Sequence, residues 1–343
     1  MGLQKISLPP IHGSSCGGPK TCVPIQSSSH IFGGPGVNNL NGILLVIAAM
    51  AAFTLEDMFI KHLSGEIPVG QILIMLGLGS GAVFAAVALY RGDNLLAPAA
   101  WRGAAILRTL SEAVGAMAFA TALSLVDIST VAAVFQALPL VITMGAALFL
   151  GEQVGWRRWS AICVGFAGVL MIVRPGLAGF DPSVVLVLLS VLAIAARDLL
   201  TRLVDSTVSS AVVSFQAFAS LIVAGGLLLV MTGAEATAVD GRQIVMMLGG
   251  IVFGVAGYYA IVTATRIGDA SAITPFRYSR LLFSILVGVL VFGERPDAMT
   301  LGGAALIIAS GLYTFLRERR LVREQVRQES RLVEEAAAAV SPS

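Results

Sequence analysis

Charge is scarce in this chain. Asp, Glu, Lys and Arg make up 12% of its 343 residues, 57% are hydrophobic, and the mean hydropathy is +0.88. A soluble chain of this length needs far more charge to cover its surface, so this one is dissolved in lipid. The net charge of +2 is too small to point to a nucleic-acid partner. Three cysteines (Cys16, Cys22 and Cys163) are too few and too scattered for a disulfide framework. Three histidines (His12, His30 and His62) lie in tails or at a helix end, and no His-Glu-x-x-His run occurs, so an intramembrane enzyme is set aside. His12, Cys16, Cys22 and His30 match no common zinc spacing, and neither a metal nor a cofactor is expected. A nucleotide-binding Walker A pattern is absent. So is any carbonyl-filter or ringed acidic segment, which argues against a channel.

What is present is long apolar runs. Crossing a hydrocarbon core of roughly 30 Å takes about 20 apolar residues. Such stretches fall at about 41–61, 70–90, 103–124, 128–150, 157–174, 182–203, 209–231, 243–266, 271–292 and 299–316, rich in the Gly and Ala that let helices approach closely in lipid. They lack the polar–apolar alternation of a lipid-exposed barrel, so the expected fold is an all-α integral membrane protein. Residues 1–39 read as a disordered cytoplasmic tail without a signal-peptide core. Residues 319–343 read as a charged cytoplasmic tail that prolongs the last helix.

The chain is duplicated. Ser124–Glu152 and Arg266–Glu294 align without a gap at an offset of 142 residues. Asp127 falls on Asp269, Ser129 on Ser271, and Gly151-Glu152 on Gly293-Glu294. Upstream, EDMFIK (from Glu56) matches RDLLTR (from Arg197) at an offset of 141. The expected domains are two five-helix repeats, 40–176 and 177–318. Arg91, Arg102, Arg157, Arg158, Arg202, Arg266 and the arginines from Arg317 onward fall on one side of the resulting topology. The positive-inside rule then puts both termini in the cytoplasm. Five helices per repeat is an odd number, so the halves are inverted copies, the signature of a secondary transporter.

Ionisable residues inside spans are functional candidates. Asp57 with Lys61, and Asp198 with Arg202, have the i,i+4 spacing of interfacial ion pairs. Arg108 and Glu112 share one helix face, either as a self-neutralised pair or as the lining of a watery pathway. Glu112 lies nearest mid-membrane and is the candidate for proton coupling. Pro275-Phe276-Arg277-Tyr278 is the sharpest local signal, because the proline loosens the backbone and Arg277 offers a planar fork of donors. The matching stretch of the first repeat holds Phe135 and Gln136, with Pro139 one turn later. Tyr258 and Tyr259 are further candidates for the cavity wall, or for aromatic packing between helices.

Over about residues 41–320, the runs EDMFIKHLSGEIPVGQ, LFLGEQVGWRRWSAICVGFAGVLMIVRPG and LVFGERPDAMTLGGAALIIASGLYTFLRERR resemble the EamA-type ten-helix members of the drug/metabolite transporter superfamily. The resemblance implies a carrier with a central cavity formed mainly by the first four helices of each repeat. It gives the fifth and tenth helices to packing or to a homodimer, and makes Gly151-Glu152 and Gly293-Glu294 structural helix-end motifs. Look-alikes with a Pro-Phe-Arg-Tyr run take up riboflavin or S-adenosylmethionine, and others export amino acids or metallophores. Relatives often carry an arginine shortly after the Pro-x-x-Gln that here spans Pro68 to Gln71, but this chain continues ILIMLGLG without charge. The expectation is alternating-access transport of a small organic metabolite across the inner membrane, with proton or ion coupling. Riboflavin comes first because an aromatic and arginine-lined cavity suits a flat polar ring.

Overall fold

The computed structural model describes residues 39–151, 155–177, 180–205, 207–267 and 273–340. The expected disordered tail lies outside these but for its last residue, Asn39. The described residues form helices joined by short connections, with no strand among them: α1 (Asn39–Ser64), α2 (Val69–Tyr90), α3 (Ala104–Leu125), α4 (Ile128–Phe135), α5 (Leu138–Phe149), α6 (Trp156–Val173), α7 (Val184–Thr201), α8 (Ser210–Thr232), α9 (Gly241–Ile267), α10 (Ser279–Phe292) and α11 (Ala298–Val340). With α4 and α5 counted as one crossing and α10 extended back to Pro275, ten segments among the described residues are long and apolar enough to span a bilayer. The all-α membrane fold therefore stands.

Local chemistry sets the helix ends. Asp240 and Gln243 cap α9 reciprocally: the Asp240 N–H donates to Gln243 Oε1 at 3.0 Å, and the Gln243 N–H to Asp240 Oδ1 at 2.7 Å. Gly293, at φ 67°, takes the left-handed conformation that ends α10. Arg174 does the same for α6 at φ 52°, the only non-glycine residue with positive φ among those described. Its guanidinium pairs with Asp297, which also accepts the Thr300 N–H at 2.9 Å and so caps α11. The Arg174 contact, reinforced by Thr300, holds the Asp297 carboxyl well below the usual carboxylate range.

The fourth span, read as one helix in the sequence, is broken. Pro139 lacks the N–H that would reach back one turn, and the chain turns at Gln136 and Ala137 before α5 begins. In the second repeat Pro275 sits in a 3-10 turn, Thr274–Tyr278, that leads into α10. Backbone of this kind is tolerated at membrane depth where protein or a cavity surrounds it.

Packing displays the duplication. The most extensive contacts are α2 with α8, α1 with α9, α3 with α7, and α6 with α11, each pairing one repeat with the other. Exchanging the repeats turns α1–α9 into α7–α3 and maps the other two pairs onto themselves, as two inverted copies require. The self-paired contacts depend on glycine. A Cβ on Gly70 would lie 2.5 Å from the Gly225 carbonyl oxygen, and one on Gly168 would lie 2.6 Å from that of Gly303. Lipid supplies no hydrophobic drive for association, so this close approach of backbones is a main source of cohesion.

Candidate functional site

Three of the ion pairs that join the repeats lie at successive levels of the bundle. In the middle, Arg280 at the start of α10 donates from Nη2 to Asp57 Oδ2 of α1 at 2.7 Å. Its guanidinium carbon lies 5.7, 5.8 and 5.5 Å from the ring centroids of Phe53, Phe119 and Phe135, which come from α1, α3 and α4. Phe119 and Phe135 meet edge to face at 5.2 Å, so the cation sits in a braced aromatic cage. Glu56, beside Asp57, reaches across to α9 where Gly254 makes room; a Cβ there would come within 2.5 Å of Glu56 Oε1.

Toward the end where α7 finishes, Glu112 of α3 is bracketed by two arginines. Arg197 of α7 donates from Nη1 to both carboxylate oxygens at 3.1 Å, and Arg108 lies 3.8 Å away, one turn back on α3. Arg197 also donates from Nε to Asp198 at 2.9 Å, and Arg108 from Nε to Thr201 Oγ1 at 2.9 Å. Tyr258 joins this level through a 2.6 Å hydrogen bond with Ser214 and an edge-on contact with Phe84 at 5.1 Å.

At the opposite end Lys61 of α1 donates to the Val126 carbonyl at 2.6 Å and the Leu123 carbonyl at 3.1 Å, satisfying the last turn of α3. Glu294, just past α10, lies 3.9 Å from Lys61. Its carboxylate accepts the Ile128 N–H at 2.7 Å, the Ser129 N–H at 3.1 Å and the Ser129 hydroxyl at 2.6 Å. Beside it Asp127 faces a polar recess of about 290 Å³ shared with Arg174, Asp181 and Arg295. Partial burial and the neighbouring Glu294 push the Asp127 carboxyl up, and Lys61 opposes them.

Phe135, Glu112, Arg108 and Tyr258, singled out in the sequence, lie within this succession. Gln136 is buried at the α4–α5 break. Tyr278 turns toward α11, where a Cβ on Gly311 would overlap its hydroxyl. Phe276 is half-exposed, and Tyr259 is 69% exposed with no ring or hydrogen-bond partner among the described residues. Arg277 is exposed, makes no ion pair among the described residues, and lies close enough to Asp198 to interact electrostatically. The sequence marks Asp57 only as half of an interfacial pair and Arg197 only as the start of the repeated RDLLTR, and it does not single out Arg280. The i,i+4 spacing misassigned Asp57, whose carboxylate pairs with Arg280 while Lys61 turns to Glu294; Asp198 accepts from Arg197. The signal for Arg280 was its place one turn beyond Arg277, just where α10 begins.

An inverted-repeat helical bundle with broken helices and charge pairs across the repeat interface defines a polytopic membrane carrier. The EamA-like transporter family model matches residues 40–174 and 181–316, and the chain belongs to that family. It is therefore a transporter of small molecules rather than an enzyme. It is 24% identical over 284 residues to an S-adenosylmethionine uptake transporter of Rickettsia prowazekii, covering 82% of this chain and 94% of that one. It is 31% identical over 225 residues to a riboflavin transporter of Rhizobium johnstonii, covering 65% and 73%. A solved structure described only as a crystal structure of protein matches at a TM-score of 0.54 and 20% identity, over 83% of this chain and 99% of its own, and shows the shared fold.

Proposed function

We propose that the protein is a secondary carrier that binds a zwitterionic metabolite of the S-adenosylmethionine type at the Asp57–Arg280 level and passes it across the inner membrane by alternating access. Both termini then face the cytoplasm, as the arginine asymmetry requires. The observation that carries the reading is an acid and a base from opposite repeats, 2.7 Å apart, inside three phenylalanine rings. A substrate with an ammonium, a carboxylate and a sulfonium replaces every member of that arrangement: Asp57 takes the ammonium, the Arg280 fork the carboxylate, and the rings the sulfonium. The match to S-adenosylmethionine uptake transporters over nearly their whole length supports this.

Riboflavin is the second reading. The 31% identity to a riboflavin transporter favours it, and the Phe and Arg surfaces suit a flat ring. Riboflavin is uncharged at neutral pH, however, and leaves the ion pair without a task. Counterflow in proteoliposomes with labelled S-adenosylmethionine and labelled riboflavin decides between them. Saturable exchange of the former, competed by S-adenosylhomocysteine, is expected. Exchange of riboflavin alone overturns the assignment.

A further inference from the structure

The first turn of α4 has two carboxylates within reach and uses the distant one. Asp127 is the residue immediately before the helix, and its backbone already has N-cap dihedrals, φ −56° and ψ 136°. Aspartate at such a position ordinarily accepts the N–H groups of the first turn. Here it makes no side-chain cap bond. The Ile128 and Ser129 N–H groups go instead to Glu294, which lies 165 residues further along the chain and belongs to the other repeat. The local cap is idle because a cap from across the interface has displaced it.

We propose that this is an exchangeable closure: Glu294 on the α4 N-terminus holds the repeats together at this end of the pathway, and Asp127 takes over the same N–H groups when Glu294 leaves and the end opens. The proposal rests on the alternating-access reading above. A permanent cap would need no understudy. Here the amides and the ammonium of the closure keep partners after release. The α4 amides pass to Asp127, and Lys61 retains the Leu123 and Val126 carbonyls, which it holds more closely than it holds Glu294. Opening therefore strands no donor of the first turn and no buried ammonium, so the two states lie close in free energy, as a carrier needs. Glu294 and Asp181 are like-charged neighbours of Asp127, so the departure of Glu294 removes a repulsion that keeps Asp127 off the helix end. The sequence repeats the three residue types in the other copy, as Asp269, Ser271 and Glu152.

Hydrogen–deuterium exchange of the 289–297 segment, which carries Glu294 and leaves α4 only when this end opens, tests this without knowledge of the substrate. The purified full-length protein is used, with melting temperature measured alongside. Glu294→Gln removes the charge of the closing cap and is expected to raise exchange by about fivefold, the worth of one cap. Asp127→Ala removes the idle cap and is expected to lower exchange by a similar factor, because the open state loses its acceptor while the closed state loses nothing. Should Glu294→Gln fail to fold, Ser129→Ala, which removes one of the donors to Glu294, is expected to act in the same direction. If Asp127→Ala leaves exchange unchanged or raises it, Glu294 is a fixed structural cap and the proposal fails. Absence of S-adenosylmethionine transport alongside opposite exchange shifts overturns the substrate assignment and leaves the closure standing.

Discussion

The two repeats can be compared residue by residue along their alignment, and they agree at helix ends but part company in the middle of the bundle. Asp127, Ser129 and Glu152 of the first copy match Asp269, Ser271 and Glu294 of the second. Glu56, Phe135 and Leu138, by contrast, match Arg197, Arg277 and Arg280. Residues that end helices and join the copies are the same types in both. Mid-span residues differ in charge or size, and from them come Arg280 and Arg197, which form the central ion pairs with Asp57 and Glu112. Duplication supplied a symmetric frame, and divergence within it made a bundle whose middle is chemically one-sided. A metabolite with distinct ends needs such a lining, since a symmetric one would bind it in two orientations.

Breaking the middle pair should have the largest effect. Arg280→Ala leaves Asp57 buried without its partner, a loss of about 3–5 kcal/mol, and is expected to abolish counterflow. Adding Asp57→Asn to it should restore most of the melting temperature but none of the transport. Normal transport by the single variant would remove this pair from the substrate pathway. Glu112→Gln comes next. Arg197 and Arg108 both lose their shared counter-ion, so a destabilisation of about 2–3 kcal/mol is expected, ahead of any change in coupling. If the variant melts normally but exchanges substrate without responding to an imposed pH gradient, Glu112 is the proton carrier and its arginines only modulate it. The smallest effect on stability belongs to Arg277→Ala, because that side chain makes no ion pair among the described residues. A change below about 0.5 kcal/mol is expected. KM is expected to stay near its original value because the carboxylate is assigned to Arg280; a rise of about tenfold, corresponding to about 1.4 kcal/mol and partly recovered by Arg277→Lys, would place the carboxylate at Arg277 instead. Unchanged KM in both variants would confine recognition to the Arg280 level.

Much of the fold was legible in the sequence because its determinants are one-dimensional. Span length follows from apolar run length, and the inverted arrangement follows from a gapless offset together with an odd number of helices. The break after Phe135 was less visible. Pro139 announces a weak point, but whether the helix bends or stops depends on what packs there. The charge partners were the least legible. Asp57 has a basic residue at i+4, an adequate partner for an isolated helix, and its real partner is Arg280, 223 residues away on a helix of the other repeat. Local spacing cannot compete with a low-dielectric interface between helices, where the better geometry wins. Glu294 shows the reverse case: its motif reads as a helix-end feature, and the helix it caps proves to be another one.

The pairing of charges across the repeats also bears on how the carrier responds to voltage. Between the two ends of the bundle Arg280 is set against Asp57, Arg197 against Glu112 and Lys61 against Glu294, three couples whose formal charges cancel. An elementary charge carried through the whole field gains about 2.3 kcal/mol per 100 mV. While these couples stay together, their movement takes up almost none of that energy. Under the proposed alternating access, current during turnover would then report mainly the charge of the cargo and its companion ions.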